Sequence, residues 1–235
     1  MIKVKNIFFL SVCPIVFSFL SCGLDSVNYV DEPVSDGHTV SYLTADETQK
    51  YFSFRTASDN SSGTFRVLGT AICYKIYDNA STMLSVEQSI DSTSPTSKWT
   101  SLTSSYGYKH LCAAGQSADD SSPLITDFNV SVYIRLTDYN TGNSGDYAAV
   151  ISSGGSTRSP RRNINQNYGF DFGRKPNNPR PQIGDSDCRV SSSSASTYYI
   201  DAYAVTIGED SSDSNRSYSD VFRLGSISVN TNTAW

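Results

Sequence analysis

The sequence has little of what enzymes use for acid–base work. Only two of its 235 residues are histidine, His38 and His110, and charged side chains make up 17%. Histidine is the side chain that titrates near neutrality, so a zinc site or a Ser-His-Asp arrangement would rest on these two. Neither stands in a motif, for no G-x-S-x-G, H-E-x-x-H or C-x-x-C occurs. His110 and Cys112 lie two apart, on one face of a strand, and make a ligand pair or a Cys-His dyad only with partners from elsewhere. Most acids are grouped in loop-like stretches such as Asp119, Asp120, Glu209, Asp210 and Asp213. Asp201 alone lies within a strong strand pattern, and no partner for it is visible. Paired carboxylates for hydrolysis are therefore not evident. Positive charge is scarce too. The formal charge is −5, and setting aside Lys3 and Lys5 takes it to −7, so general attraction to nucleic acid is not expected.

Long apolar runs are missing everywhere but at the start. Residues 7–20 read IFFLSVCPIVFSFL after the basic pair Lys3 and Lys5. That run is short for a membrane-spanning helix, which needs about 20 apolar residues. A charged beginning, a short apolar stretch and small residues at its end make an export signal. The sequence continues Phe19-Leu20-Ser21-Cys22-Gly23, which resembles the relaxed lipobox of bacterial, spirochaete-type lipoproteins. That resemblance implies cleavage after Ser21, a diacylglycerol on the sulfur of Cys22 and an acyl group on its new amino terminus. Two or more long chains give stable membrane attachment where one is marginal. The expected location is the cell envelope, on the periplasmic face of the outer membrane or on the cell surface, with no other cofactor.

Residues 1–21 are thus expected as signal peptide, 22–47 as a flexible polar tether, and 48–235 as one domain with inserts near 80–123 and 153–196. Within the domain the pattern is of strands. Phe65 to Tyr77 (FRVLGTAICYKIY) is apolar on both faces, and Leu124 to Thr137 alternates, with Val132 and Ile134 on one face. Tyr147 to Ser152 reads as the hairpin partner of that second run. Thr197 to Ile207 and Ser219 to Val229 make two further strands. Lys98 to Leu102, Tyr108 to Ala114 and Tyr168 to Phe172 read as weaker ones. Met83, Val86 and Ile90 fall at helical spacing, which allows one short helix over Thr82 to Ile90. Tyr and Phe are plentiful, and a Tyr- and Ser-rich chain favours strands and loops. The fold class expected is all-β, an antiparallel sandwich with long loop insertions. Three cysteines, Cys73, Cys112 and Cys188, remain in the mature chain. They allow three single bridges or none, and spacing does not choose.

Two stretches carry a resemblance to the fibronectin type III and Ig-like sandwiches. Gly69 to Tyr77 (GTAICYKIY) is similar to the third strand of a fibronectin type III domain. Tyr198 to Val205 (YYIDAYAV), with Tyr218-Ser219-Asp220 beyond it, resembles that fold's last two strands. About 120 residues separate the two pieces, which implies large insertions.

Two loops are candidates for binding. Asp138, Asn140 and Asp146, with Gly142 and Ser144 between them, set oxygen ligands at alternate positions, as a calcium-wrapping loop would. Gly142 holds the fifth position of the loop, where a ligand belongs, and turn chemistry explains the same residues. The second candidate is basic: Arg158, Arg161, Arg162, Arg174, Lys175 and Arg180 against one acid, Asp171, within 23 residues. With Tyr168, Phe170 and Phe172 these residues could grip a sulfated glycan, a phosphate-bearing polymer or an acidic protein. The expected function is a lipid-anchored envelope or surface module that binds a protein or glycan. A structural component of the periplasm is the alternative, and a hydrolase with acids in its inserts a remote one.

Overall fold

A computed structural model of the chain describes residues 29–116, 122–139, 147–165, 167, 169–172, 180–192 and 194–230. Its spine is one pair of long strands, β2 and β10. Around them, in chain order, stand β1 (Phe52–Arg55), β2 (Phe65–Tyr77), α1 (Ala80–Asp91), α2 (Pro95–Ser104), β3 (Lys109–His110), β4 (Cys112–Ala113) and β5 (Ser131–Arg135). Then come β6 (Val150–Ser153), β7 (Ser156–Arg158), β8 (Pro160–Arg161), β9 (Cys188–Arg189), β10 (Thr197–Asp210), β11 (Arg216–Tyr218) and β12 (Phe222–Asn230). The chain is mostly β, and its sheets are antiparallel except where β9 runs parallel to β2.

Strands β2 and β10 pair from Tyr199 opposite Tyr77 to Asp210 opposite Phe65. β12 and β11 flank the other edge of β10, while β3 and β9 flank β2. A separate four-stranded sheet runs β1-β5-β6-β7, and β4 pairs with β8. Because side chains alternate along a strand, each long strand serves two cores. Ile72, Tyr74 and Ile76 of β2, with Tyr198, Ile200, Ala202 and Ala204 of β10, share one core with Phe52, Phe54, Val132, Ile134 and Ile151 of the four-stranded sheet. The intervening Ala71, Cys73 and Tyr77, with Tyr203, Val205 and Ile207, meet Met83, Val86, Ile90, Trp99 and Leu102 from the two helices. Each fully buried aliphatic side chain of this kind contributes about 1.5–3 kcal/mol. The doubly apolar run at 65–77 thus has its cause in cover on both sides.

Two α-helices are present among the described residues, where one was expected. α1 covers the expected stretch, with the Asn79 side chain accepting from Thr82 N at its start. Lys98 to Leu102, read as a weak strand, lies instead in α2. Pro95 fits its first turn, where no N–H is needed, and Trp99 and Leu102, three apart, bury one face. No described helix is long and apolar enough to cross a membrane. The hairpin β5–β6 forms as expected, with Ile134 opposite Ile151. Gly169 to Phe172 is not a strand, although Phe172 is buried against Tyr74.

The expected tether is corrected over its described residues, 29–47. Val30, Pro33 and Val40 are buried. Val34 exchanges two backbone hydrogen bonds with Arg55 at the edge of β1, of 3.0 and 2.8 Å. Six residues on, Val40 bridges Gly225 on β12. The segment therefore straps the outer edges of both sheets, drawn down by three apolar side chains that its acidic composition concealed. Gly225 has φ +113°, and a Cβ there would strike the Val40 carbonyl oxygen, so this crossing requires glycine.

Candidate functional site

Of the basic segment, Arg158, Arg161, Arg162 and Arg180 are described, and Tyr168, Arg174 and Lys175 lie outside the described residues. Arg162 is fully buried, which corrects its reading as a ligand-gripping side chain. Its Nε donates to Asp187 Oδ2 at 3.0 Å and its Nη2 to Asp187 Oδ1 at 2.9 Å, a two-pronged pair. The same Nη2 donates to Asp185 Oδ2 at 2.9 Å and to Cys188 Sγ at 3.2 Å. Tyr74 completes the cluster, donating from its hydroxyl to Asp187 Oδ2 at 2.7 Å and accepting from Asn163 N at 2.7 Å. Burial alone would lower the Arg162 pKa, but its hydrogen bonds and charge attraction to Asp187 hold it above the usual arginine range. Burial, then the charge of Asp187, pushes the Cys188 thiol up. Asp185, Asp187 and Cys188 bring potential metal ligands within 4.8 Å of one another. Arg162 bonds all three, so its charge stands where a cation would. Arg161 pairs with Asp171, Arg158 donates to the Leu124 carbonyl at 2.9 Å, and Arg180 is exposed. Among the described residues, Arg158, Arg161 and Arg162 thus make bonds within the protein, and Tyr74 ties the Arg162 cluster to β2.

A second cluster lies on the other face of the long strands. Asp201 is fully buried on β10, and its partner is Glu87 of α1, itself buried. Both carboxyl groups meet one guanidinium. Arg223 Nη2 pairs with Glu87 Oε1 and stands 3.6 Å from Asp201 Oδ1. A β-bulge aims it there. Between Ala202, opposite Gly225, and Tyr203, opposite Arg223, the register slips by one, so Leu224 turns to the core and Arg223 to the helix side. Tyr108 donates to Asp201 Oδ2 at 2.6 Å and stands 3.2 Å from the Tyr77 hydroxyl. Glu87 Oε1, Asp201 Oδ1 and the Tyr203 hydroxyl are buried without a hydrogen bond of good geometry. Burial, and next the charge of Glu87, pushes Asp201 up to about 8, against the opposing pull of Tyr108 and Arg223.

The other sequence candidates are dispersed. His110 and Cys112 fall in different strands of different sheets, β3 against β2 and β4 against β8. Both are buried, and the His110 ring meets Trp99 edge-on at 5.3 Å. The expected single-strand pair is thereby corrected. No disulfide joins Cys73, Cys112 or Cys188. Asp138 is exposed and accepts from Ala149 N at 2.7 Å, while Asn140 and Asp146 of the calcium candidate lie outside the described residues.

One feature went unread in the sequence. On the solvent side of the four-stranded sheet, His38 stacks on Tyr51 at 3.8 Å and Tyr51 lies 4.5 Å from Tyr133. The Arg135 guanidinium sits 5.8 Å from both tyrosine rings and 4.9 Å from Tyr147. Arg135 donates to the Tyr133 hydroxyl and to the carbonyls of Glu47 and Thr48, so it also fastens the N-terminal strap. Tyr147 is 41% exposed. Tyr133 and Arg135, two apart, share the face opposite Val132 and Ile134. That alternation was visible, but the contributions of His38, Tyr51 and Tyr147 depend on distant parts of the chain.

Comparison of the chain with family models, with curated proteins and with solved structures gave no match.

Proposed function

We propose that the chain is a lipid-anchored envelope or surface lipoprotein whose β module binds a protein or a glycan and performs no chemistry. The observation that carries this reading is the row of half-exposed Tyr51 and Tyr133 and exposed Tyr147, on the face of the four-stranded sheet away from its core, packed over the buried Arg135. Aromatic rings with one polar end are the usual material of recognition surfaces, and Arg135 beneath them fixes their positions. The buried acids and His110, by contrast, are enclosed in packing and offer substrate no access. The adjacency β2-β10-β12 agrees with the third, sixth and seventh strands of a fibronectin type III or Ig-like sandwich, which share one sheet. On this reading the helices are an added layer over that sheet. With lipid on Cys22, the first residue buried in the body is Val30, eight residues on. At ~3.3–3.6 Å per residue the lipid stands at most about 29 Å from it, which keeps the module close to the membrane.

The anchor is tested by Cys22→Ser, which should abolish acyl labelling in cells; unchanged labelling contradicts it. Binding is tested by retention on an array of immobilised oligosaccharides and extracellular proteins. The wild type should retain a partner from which Tyr147→Ala loses about tenfold in affinity. An array on which wild-type protein retains nothing contradicts the binding reading. Protease digestion of intact cells then separates a surface module, which is cut, from a periplasmic one, which is protected.

A further inference from the structure

The cluster between α1 and β10 holds two carboxyl groups in a buried space that supplies one cation. From α1 come Glu87 and, further out, Asp91. Arg223 comes from β12, Cys73, Lys75 and Tyr77 from β2, Tyr108 from the chain before β3, and Tyr203 from β10 itself. The Lys75 ammonium donates instead to the Tyr106 carbonyl, and the three tyrosines are neutral. Arg223 is 40% exposed at its side chain and can balance one buried negative charge, whereas Glu87 and Asp201 would together carry two. A buried charge without a partner is far costlier than a retained proton. Glu87 Oε1 and Asp201 Oδ1 both lack hydrogen bonds of good geometry, and both face the one Nη2 of Arg223, which brings the two carboxyl groups to the same point.

We propose that Glu87 and Asp201 share one proton across the seam between α1 and β10, and that this proton latches the helical layer onto the sheet. Loss of the proton to solvent in alkaline medium leaves two carboxylates facing one guanidinium, and α1 is pushed off by charge repulsion. Below that range the latch is closed. The main-chain pairing of β2 with β10 does not depend on it, so the opening is local, a sub-global step of the kind that amide exchange detects. The raised ionisation of Asp201 agrees with this geometry.

The test uses the full chain in mild detergent. Infrared spectra at pH 7 should contain the carbonyl stretch of a protonated carboxylic acid, shifted in heavy water and absent from Asp201→Asn and from Glu87→Gln. Amide exchange in α1, corrected for base catalysis, should accelerate by up to about tenfold per pH unit as the pH rises towards the transition, and level off above it. Either substitution should remove that acceleration, while the amides of β2 and β10 stay protected throughout. A wild-type spectrum without a protonated carboxyl band at pH 7 overturns the shared proton. Protection of α1 that stays level up to pH 9 overturns the latch.

Discussion

Asp187 and Asp201 are both fully buried, both receive a tyrosine hydroxyl, and lie by opposite faces of the same strand pair. Their surroundings differ in one respect that decides everything else. Asp187 accepts two bonds from Arg162 and one from Tyr74, and its arginine is buried with it. Asp201 accepts one good bond, from Tyr108, and shares with Glu87 a partly exposed arginine, whose Nη2 stands 3.6 Å from Asp201 Oδ1. The first is an ion pair completed by hydrogen bonds, which low dielectric strengthens; the second is short of one positive charge, which low dielectric penalises. A buried acid is thus fixed by a matched cation in one place and by a retained proton in the other.

The comparison can be broken most forcefully at Arg162. Arg162→Leu strands Asp187 in the core without its cation, and chemical denaturation should register a loss of about 3–5 kcal/mol. A loss below 1 kcal/mol would mean that the site is wetter or more adaptable than its geometry implies. The two tyrosines sharpen the contrast. Tyr74→Phe removes a donor to Asp187 and also leaves the Asn163 amide without its acceptor, so about 1–3 kcal/mol should be lost. Tyr108→Phe removes the single hydrogen bond that favours ionised Asp201, and should raise its midpoint further, as read from the pH dependence of the protonated carboxyl band. Equal effects of the two changes on stability and on that midpoint would erase the distinction drawn here.

How much of this was legible depended on sequence separation. The two-faced burial of β2 was visible in Phe65 to Tyr77, and the core face of β5 in the alternation of Val132 and Ile134. α1 was visible in Met83, Val86 and Ile90, because each of these signals is local. α2 was readable from Pro95 and the spacing of Trp99 and Leu102, but its many Ser and Thr residues hid it. The strap over the sheet edges rests on Val30, Pro33 and Val40, too few and too irregularly spaced to make a period. The two acid sites were beyond local reading. Glu87 and Asp201 lie 114 residues apart, and only the register of β10 with its neighbours and the bulge at Leu224 bring Arg223 to them. The basic segment was misread for a nearer reason: the window of charge ended at Arg180, just short of Asp185 and Asp187, the acids that Arg162 holds.

The most direct measurement is the unfolding free energy of the full chain in detergent, wild type against Asp201→Asn, from pH 5 to pH 9. The folded midpoint of Asp201 is raised from 3.8 to about 8. Its contribution to stability is therefore full below the unfolded value and is lost as pH rises through the folded one. Wild-type stability should fall relative to the asparagine variant by up to about 1.4 kcal/mol per pH unit until pH 8, and level off above it. Parallel curves for the two proteins across that range would contradict the account, since Asp201 would then hold no more protons folded than unfolded.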